Sequence, residues 1–315
     1  ATERGIITSA YTTLRPIDTR NSKYLYYLLH AFDLKKGFYG MGSGVRQGLN
    51  YAEVKELRVV LPSQNEQEVI VRFLDNQCGQ IDSIIEEAKS SIEEYKKWRA
   101  SIIFEAVTKG LNPLAEMKDS HIDWIRLVPS HWKLSRIKNE LDNLDYLREP
   151  ISAEKRENIL GLYDYYGASG VIDKIDDYNV DDKVLLIGED GANLRMRNLP
   201  LVYKAEGKFW VNNHAHILKV HDDNCYGFIA YLLEAGDYSV FITGSAQPKL
   251  SQFNLMRFPI VIPPLVEQQK IEAYLDEKCS AIDALIREKK SLLSELEIYK
   301  RSLILETVTG KRKVV

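Results

Sequence analysis

LPSQNEQEVIVRFLDNQCGQIDSIIEEAKSSIEEYKKWRASIIFEAVTK (Leu61–Lys109) and IPPLVEQQKIEAYLDEKCSAIDALIREKKSLLSELEIYKRSLILETVTG (Ile262–Gly310) are one pattern written twice, 201 residues apart and with no gap. Pro62, Glu66, Gln67, Leu74, Asp75, Cys78, Ile81, Asp82, Ile85, Glu87, Lys89, Ser90, Glu94, Ser101, Ile103, Glu105, Val107 and Thr108 all have identical partners between Pro263 and Thr309. Chance does not produce such a run; self-similarity at a fixed offset marks a duplicated structural unit. In the first copy Ile70, Leu74, Cys78, Ile81, Ile85, Ala88, Ile92, Tyr95, Ile102 and Ala106 recur at steps of three and four, broken where Arg99 takes the seam beside Trp98. Ile271, Leu275, Cys279, Ile282, Ile286, Leu293, Leu296 and Leu303 repeat the steps. Apolar residues so spaced form one stripe of an α-helix.

The stripes predict two helices of about 40–45 residues, rods of roughly 60–65 Å. Neither can bury its stripe alone, so the economical arrangement is an antiparallel coiled coil in a pseudo-two-fold molecule. The packing positions expected of it are Leu74, Cys78, Ile81, Ile85 and Ile92 against Leu275, Cys279, Ile282, Ile286 and Leu293.

Outward from the helices, each copy begins with an apolar run closed by proline, Leu57–Pro62 and Phe258–Pro263. Both read as strands that proline stops, since it cannot donate to a ladder. GLNPLAEMKDS (Gly110–Ser120) has the punctuation of a helix stop and linker. The region 121–265 reads as a mixed domain, with β-prone runs at Lys183–Ile187 and Phe209–Val220 and a helix near Tyr226–Ala235. Its last part also has a counterpart near the start of the chain. TSAYTTL (Thr8–Leu14) aligns with NNHAHIL (Asn212–Leu218), and YLYYLL (Tyr24–Leu29) with FIAYLL (Phe228–Leu233), both at an offset of 204.

The duplication therefore covers domain plus helix. The expected division is 1–63, the C-terminal part of a first globular domain whose front part this sequence lacks; 64–110, the first long helix; 111–120, a linker; 121–265, a second domain; and 266–315, the second long helix with a basic tail. The fold class is α+β, globular mixed domains alternating with long helices.

Composition is that of a globular chain, 45% hydrophobic and 28% charged among 315 residues. Its longest apolar runs are far too short to span a bilayer, and no charged, apolar, small-residue signal opens it, so a cytoplasmic location without membrane partners is expected. Cys78 and Cys279 sit at equivalent apolar helix positions and Cys225 stands alone, which argues against a disulfide framework. The net charge of −3 hides local sign: residues 1–60 carry nine basic against five acidic groups, residues 66–109 six against nine, and residues 121–265 sixteen against twenty. A surface facing nucleic acid in the second domain must be a patch.

The arrangement resembles the DNA-specificity subunit of type I restriction-modification enzymes. The residues that carry the resemblance are the helix openings VVLPSQNEQEVIVRFLD (Val59–Asp75) and IVIPPLVEQQKIEAYLD (Ile260–Asp276) and the helix ends SIIFEAVTKG and SLILETVTGK. DSHIDWIRLVPSHWKLSRI (Asp119–Ile137), YYGASGVI (Tyr165–Ile172), LLIGEDGAN (Leu185–Asn193) and FWVNNHAHIL (Phe209–Leu218) look like parts of a target-recognition domain. The resemblance implies a subunit with no catalytic residues and no resident metal or cofactor. Double-stranded DNA would be read as a bipartite site, one half per recognition domain. Two modification subunits would transfer methyl groups to adenine N6, and restriction subunits would join the full complex. S-adenosylmethionine, magnesium and ATP are then expected on those partners.

For DNA contact the candidates are polar loops in which Arg, Lys, Gln and Asn reach base edges or phosphates and small residues admit the backbone. GSGVRQG (Gly42–Gly48) and TGSAQPK (Thr243–Lys249) satisfy this twice, before the two helix openings. They offer Ser43, Arg46 and Gln47, and Ser245, Gln247 and Lys249. Arg195 and Arg197 in NLRMRN follow, then Asn212, Asn213 and His214. His214 and His216 read as alternating on one strand face, in a surface or DNA-facing role rather than a metal site. Trp98, Trp124, Trp132 and Trp210 read as packing anchors. Two competing functions are a coiled-coil scaffold without DNA specificity and a metal-dependent nuclease built on Asp190, Glu206 and Lys208. The nuclease pattern is loose, and so is a common accident in a chain with 45 acidic residues.

Overall fold

In a computed structural model, residues 12–39, 41, 49, 51–157 and 161–314 are described. Chain order runs through α1 (Ser22–Leu34), α2 (Tyr51–Val54), α3 (Gln64–Lys109), β1 (Met117–Ile122), β2 (Ile125–Pro129), β3 (Lys133–Arg136), α4 (Ile137–Glu140) and β4 (Leu141–Asn143). It continues with α5 (Ala153–Arg156), β5 (Tyr163–Gly167), β6 (Gly170–Ile175), β7 (Val180–Gly188), α6 (Asn193–Met196), β8 (Val202–Val211) and β9 (Ala215–Val220). α7 (Tyr226–Ala235), α8 (Gln252–Met256), β10 (Pro259–Ile262) and α9 (Leu265–Val308) complete it. The chain divides into two compact units, Ala1–Tyr95 with Ala284–Val315, and Lys96–Asp283. Both long helices contribute to both units.

In the first unit α1 lays Tyr24, Tyr27 and Ala31, one helical face, against Ile70, Leu74, Cys78, Ile81 and Ile85 of α3 and Leu303, Ile304 and Val308 of α9. Each large apolar side chain so buried contributes about 1.5–3 kcal/mol. Here α3 and α9 run antiparallel: Val308 lines a groove with Ile70, while Lys300 lies 2.5 Å from Asp82 further along α3. α3 starts with a capping box, in which the Ser63 backbone N–H and hydroxyl donate to Glu66 at 2.9 and 2.7 Å.

The second unit holds a six-stranded sheet in the order β4-β9-β7-β8-β5-β6, antiparallel except for the parallel pair β5–β8. Two ladders stand apart from it, β1–β2 and β3–β10. Its core joins Leu185, Ile187 and Leu218 of the sheet to α7, to Trp132 and Phe258, and to Ile103, Ala106, Val107, Ile271, Leu275 and Cys279 of the long helices. Here too the helices run antiparallel, since Arg99 lies 3.0 Å from Asp283 while Gly110 abuts Glu267. Arg99, the residue that breaks the apolar stripe, is therefore an ion-pair partner.

The duplication extends to individual bonds. Asp82–Lys300 in the first unit and Asp283–Arg99 in the second are the same pair under the 201-residue offset. Tyr27 donates to Asp75 at 2.8 Å, and Tyr231 donates to Asp276 at 2.8 Å. Gln67 and Gln268 donate to the carbonyls of Pro62 and Pro263 at 2.8 and 2.9 Å. Burial, and after it the carboxylate partner, raises both tyrosine hydroxyls above their ordinary range.

Three expectations need correction. Leu57–Pro62 is not a strand: no strand among the described residues pairs with it, and Val60 is 79% exposed. Phe209–Val220 is not one strand but the end of β8, a turn and β9. Trp98 is 52% exposed and anchors no core, whereas Trp132 and Trp210 are buried. Ile92, Ile282 and Ile286 are buried, and Leu293 is half-buried. All three cysteines are free and buried. No helix among the described residues is long and apolar enough to cross a membrane.

Candidate nucleic-acid interface

Three loops of the second unit meet at the end of β7. After Gly188 the chain turns through Glu189–Gly191, where Gly191 has φ +99° and takes a path only glycine follows without strain. Gly191 N–H donates to the Pro248 carbonyl at 3.0 Å, and Leu250 N–H to the Glu189 carbonyl at 2.8 Å. The loop Thr243–Lys249 closes on itself through reciprocal backbone bonds of 2.9 and 2.8 Å. Its tip turns at Gly244, φ +79°, leaving Ser245 and Gln247 exposed. Arg195 clamps that tip from α6 by donating to the Gly244 carbonyl at 3.1 Å. The third loop is the β8–β9 turn. Asn212 accepts from the His214 N–H at 2.8 Å in an Asx turn, and His214 stands half-exposed with Nδ1 2.8 Å from Asp190.

Glu189 ties the three together. Its backbone N–H donates to the His214 carbonyl at 2.8 Å, its Oε1 lies 2.9 Å from Lys249 Nζ, and its Oε2 accepts from Arg148. Burial alone raises this carboxyl, but the bonds from Lys249 and Arg148 outweigh it and hold it below the usual glutamate range. Beneath lies Asp145, similarly lowered against burial by its bond to His216. His216 is fully buried, with Nδ1 2.6 Å from Asp145 and Nε2 2.8 Å from the Leu250 carbonyl. The expectation that His214 and His216 share a strand face is thus corrected, because His214 precedes β9 and His216 holds the loop from below.

Of the residues singled out in the sequence, Arg195, Asn213, His214, Ser245, Gln247 and Lys249 come together. Arg197 does not. It adopts φ +53° and donates to the carbonyls of Glu234 and Gly236 at 3.0 and 2.6 Å, capping α7. Asn212 is buried and shapes the turn. Ser43, Arg46 and Gln47 lie outside the described residues. Sequence reasoning missed Arg148, Glu189 and Asp145; the acidic GEDGAN turn beside a basic loop was the available signal. Asp190 is engaged by His214, while Glu206 lies across the β7–β8 ladder opposite Lys183. No group of three His, Cys, Asp or Glu among the described residues could hold a metal ion.

Fold and site together define a duplicated protein in which long helices alternate with globular α/β parts, with a polar three-loop surface on the second. Residues 6–94 and 129–295 match the type I restriction modification DNA specificity domain, and the chain belongs to that family. A putative type I restriction enzyme specificity subunit from Haemophilus influenzae is 32% identical over 146 residues, 46% of this chain and 36% of that protein. The EcoprrI specificity subunit of Escherichia coli is 26% identical over 116 residues, 37% of this chain and 28% of that one. The matches thus span about a third of the relatives' length. A solved chain from a study of complex assembly and conformational transition of the type I R-M system has a similar fold, with a TM-score of 0.68 at 15% identity over 90% of this chain and 70% of that one.

Proposed function

We propose that this chain is a non-catalytic specificity subunit that reads double-stranded DNA and positions modification and restriction subunits on it. The observation that carries the reading is the convergence of Arg195, His214, Ser245, Gln247 and Lys249 at one end of the sheet domain. Loops on a rigid scaffold suit base readout, because the scaffold fixes position while the loop sequence varies. A bipartite site follows from the duplication: each recognition domain reads one half, and the two helices set the gap. Methyl transfer to adenine N6 belongs to the partners, with S-adenosylmethionine, magnesium and ATP bound there. Repeat-equivalent apolar side chains stay exposed on both helices, Trp98 at 52% and Tyr299 at 45%, Ile84 at 44% and Leu285 at 39%. They offer two identical partner subunits equivalent footings.

The test is duplex binding by the full chain with its modification subunit. Gln247→Ala combined with Lys249→Ala is expected to cost about 1–3 kcal/mol of affinity and to flatten the salt dependence by roughly one phosphate contact. Helix content should not change. Unaltered affinity across a salt series removes this loop from the interface.

A further inference from the structure

The residue beneath the three loops has more hydrogen-bond acceptors around it than a neutral side chain can serve. His216 is fully buried. Its Nδ1 lies 2.6 Å from Asp145 Oδ2, and its Nε2 lies 2.8 Å from the carbonyl of Leu250, the residue that follows the Thr243–Lys249 loop. A peptide carbonyl can only accept. Asp145 also acts as an acceptor through both oxygens, since Oδ1 takes the Ile217 N–H at 2.8 Å and Oδ2 faces Arg148 Nη2 at 3.3 Å as well as the ring. It is therefore an ionised carboxylate.

A neutral imidazole has one N–H and one lone pair. In either tautomer one ring nitrogen would set its lone pair against an oxygen lone pair, in a buried place where an unmade bond is costly. With a proton on each nitrogen, both contacts become charge-assisted bonds. The surroundings suit a cation, because its counter-ion is bonded to it directly. Asp145 and Arg148 come from the turn after β4, Glu189 from the end of β7 and Lys249 from the loop; Glu189 is shared by Arg148 and Lys249. The other histidine of this strand end, His214, pairs with Asp190 instead.

We propose that His216 is a positioning residue held as the doubly protonated imidazolium, which binds the Asp145 carboxylate through Nδ1–H and pins the Leu250 carbonyl through Nε2–H. Leu250 N–H already donates to the Glu189 carbonyl at 2.8 Å. The end of the Thr243–Lys249 loop is thus fastened by both of its backbone groups, one to the end of β7 and one to β9. The consequence for DNA rests on the reading of that loop as a DNA contact, whereas the charge on the ring is observed without DNA.

Asp145→Asn separates charge from shape. The amide oxygen can take the Ile217 N–H and the amide N–H can donate to Nδ1, so each bond keeps a counterpart, but the ring must then be neutral with its proton on Nε2. The experiment is nitrogen NMR of the histidine-labelled full chain at neutral pH, with the His216 signals sequentially assigned. Protons on both ring nitrogens are expected in the native chain and on one in Asp145→Asn. A single proton on the native ring overturns the proposal, and so does a ring that keeps both in Asp145→Asn. His216→Gln, with its fold checked by circular dichroism, should speed amide exchange at Thr243 and Lys249 at least about tenfold and weaken duplex binding in the presence of the modification subunit. Unchanged exchange in that variant overturns the positioning role. Faster exchange with unaltered duplex affinity overturns DNA reading through this loop and leaves the charge and the anchoring standing.

Discussion

Arg58–Leu61 and Pro259–Ile262 stand at the same place in the repeat, with the same apolar, proline-terminated pattern and opposite surroundings. The second is a strand, sealed between β3 and the long helices; the first is neither helix nor strand and has no strand partner among the described residues. The bonds that depend only on the repeated helix and the short helix beside it are nevertheless alike in both copies, down to the Tyr–Asp distance of 2.8 Å. Local pattern therefore suffices for helix, cap and seam. A strand also needs a partner from elsewhere in the chain, and only the second copy has one among the described residues.

The comparison can be broken most directly at the strand. Ile260→Ala empties a fully buried site and is expected to cost the second unit about 2–5 kcal/mol. Val59→Ala, its repeat equivalent, should stay within about 0.5 kcal/mol. Denaturant titration followed by tryptophan fluorescence reads the former, since all four tryptophans lie in the second unit, and helix circular dichroism the latter. Equal costs would show that the two segments are buried alike.

A smaller effect is expected at Glu189. Glu189→Ala leaves Arg148 and Lys249 without their shared acceptor and should cost about 1–3 kcal/mol, with loss of loop order. Because its folded pKa is depressed, this carboxylate stabilises the unit above its ordinary value of 4.5, and that contribution is lost as pH falls through the folded value. Acid titration of tryptophan fluorescence should therefore show a component that Glu189→Gln removes; an identical acid profile in the variant would contradict this role.

The smallest effect concerns the ion pairs. Asp82→Ala and Asp283→Ala remove the same bond from the two copies, and each should cost about 0.2–1 kcal/mol, because the pairs are partly exposed, and less at high salt. Costs differing more than twofold would mean that the helix seam is not equivalent in the two units.

The helices were legible because a period of three and four over more than 40 residues depends only on local spacing, and the duplication because 201 residues separate identical side chains. The polar loop Thr243–Lys249 was legible from its glycine, glutamine and lysine. Arg197 was not, since its use as a cap for α7 depends on a left-handed backbone and on carbonyls 37 and 39 residues away. Nor was the burial of His216: β9 lies between β4 and β7, and its inward face is set by strand order rather than alternation. Leu57–Pro62 has the composition of a strand, but its state follows from a partner that its own sequence does not specify.

The most direct measurement is selection from a random duplex pool by the full chain with its modification subunit. The expected result is an enriched sequence whose recovery is erased by Arg195→Ala or Gln247→Ala at unchanged helix content. Recovery of no preferred sequence, or of the same sequence at the same yield by both variants, would contradict DNA reading through these loops.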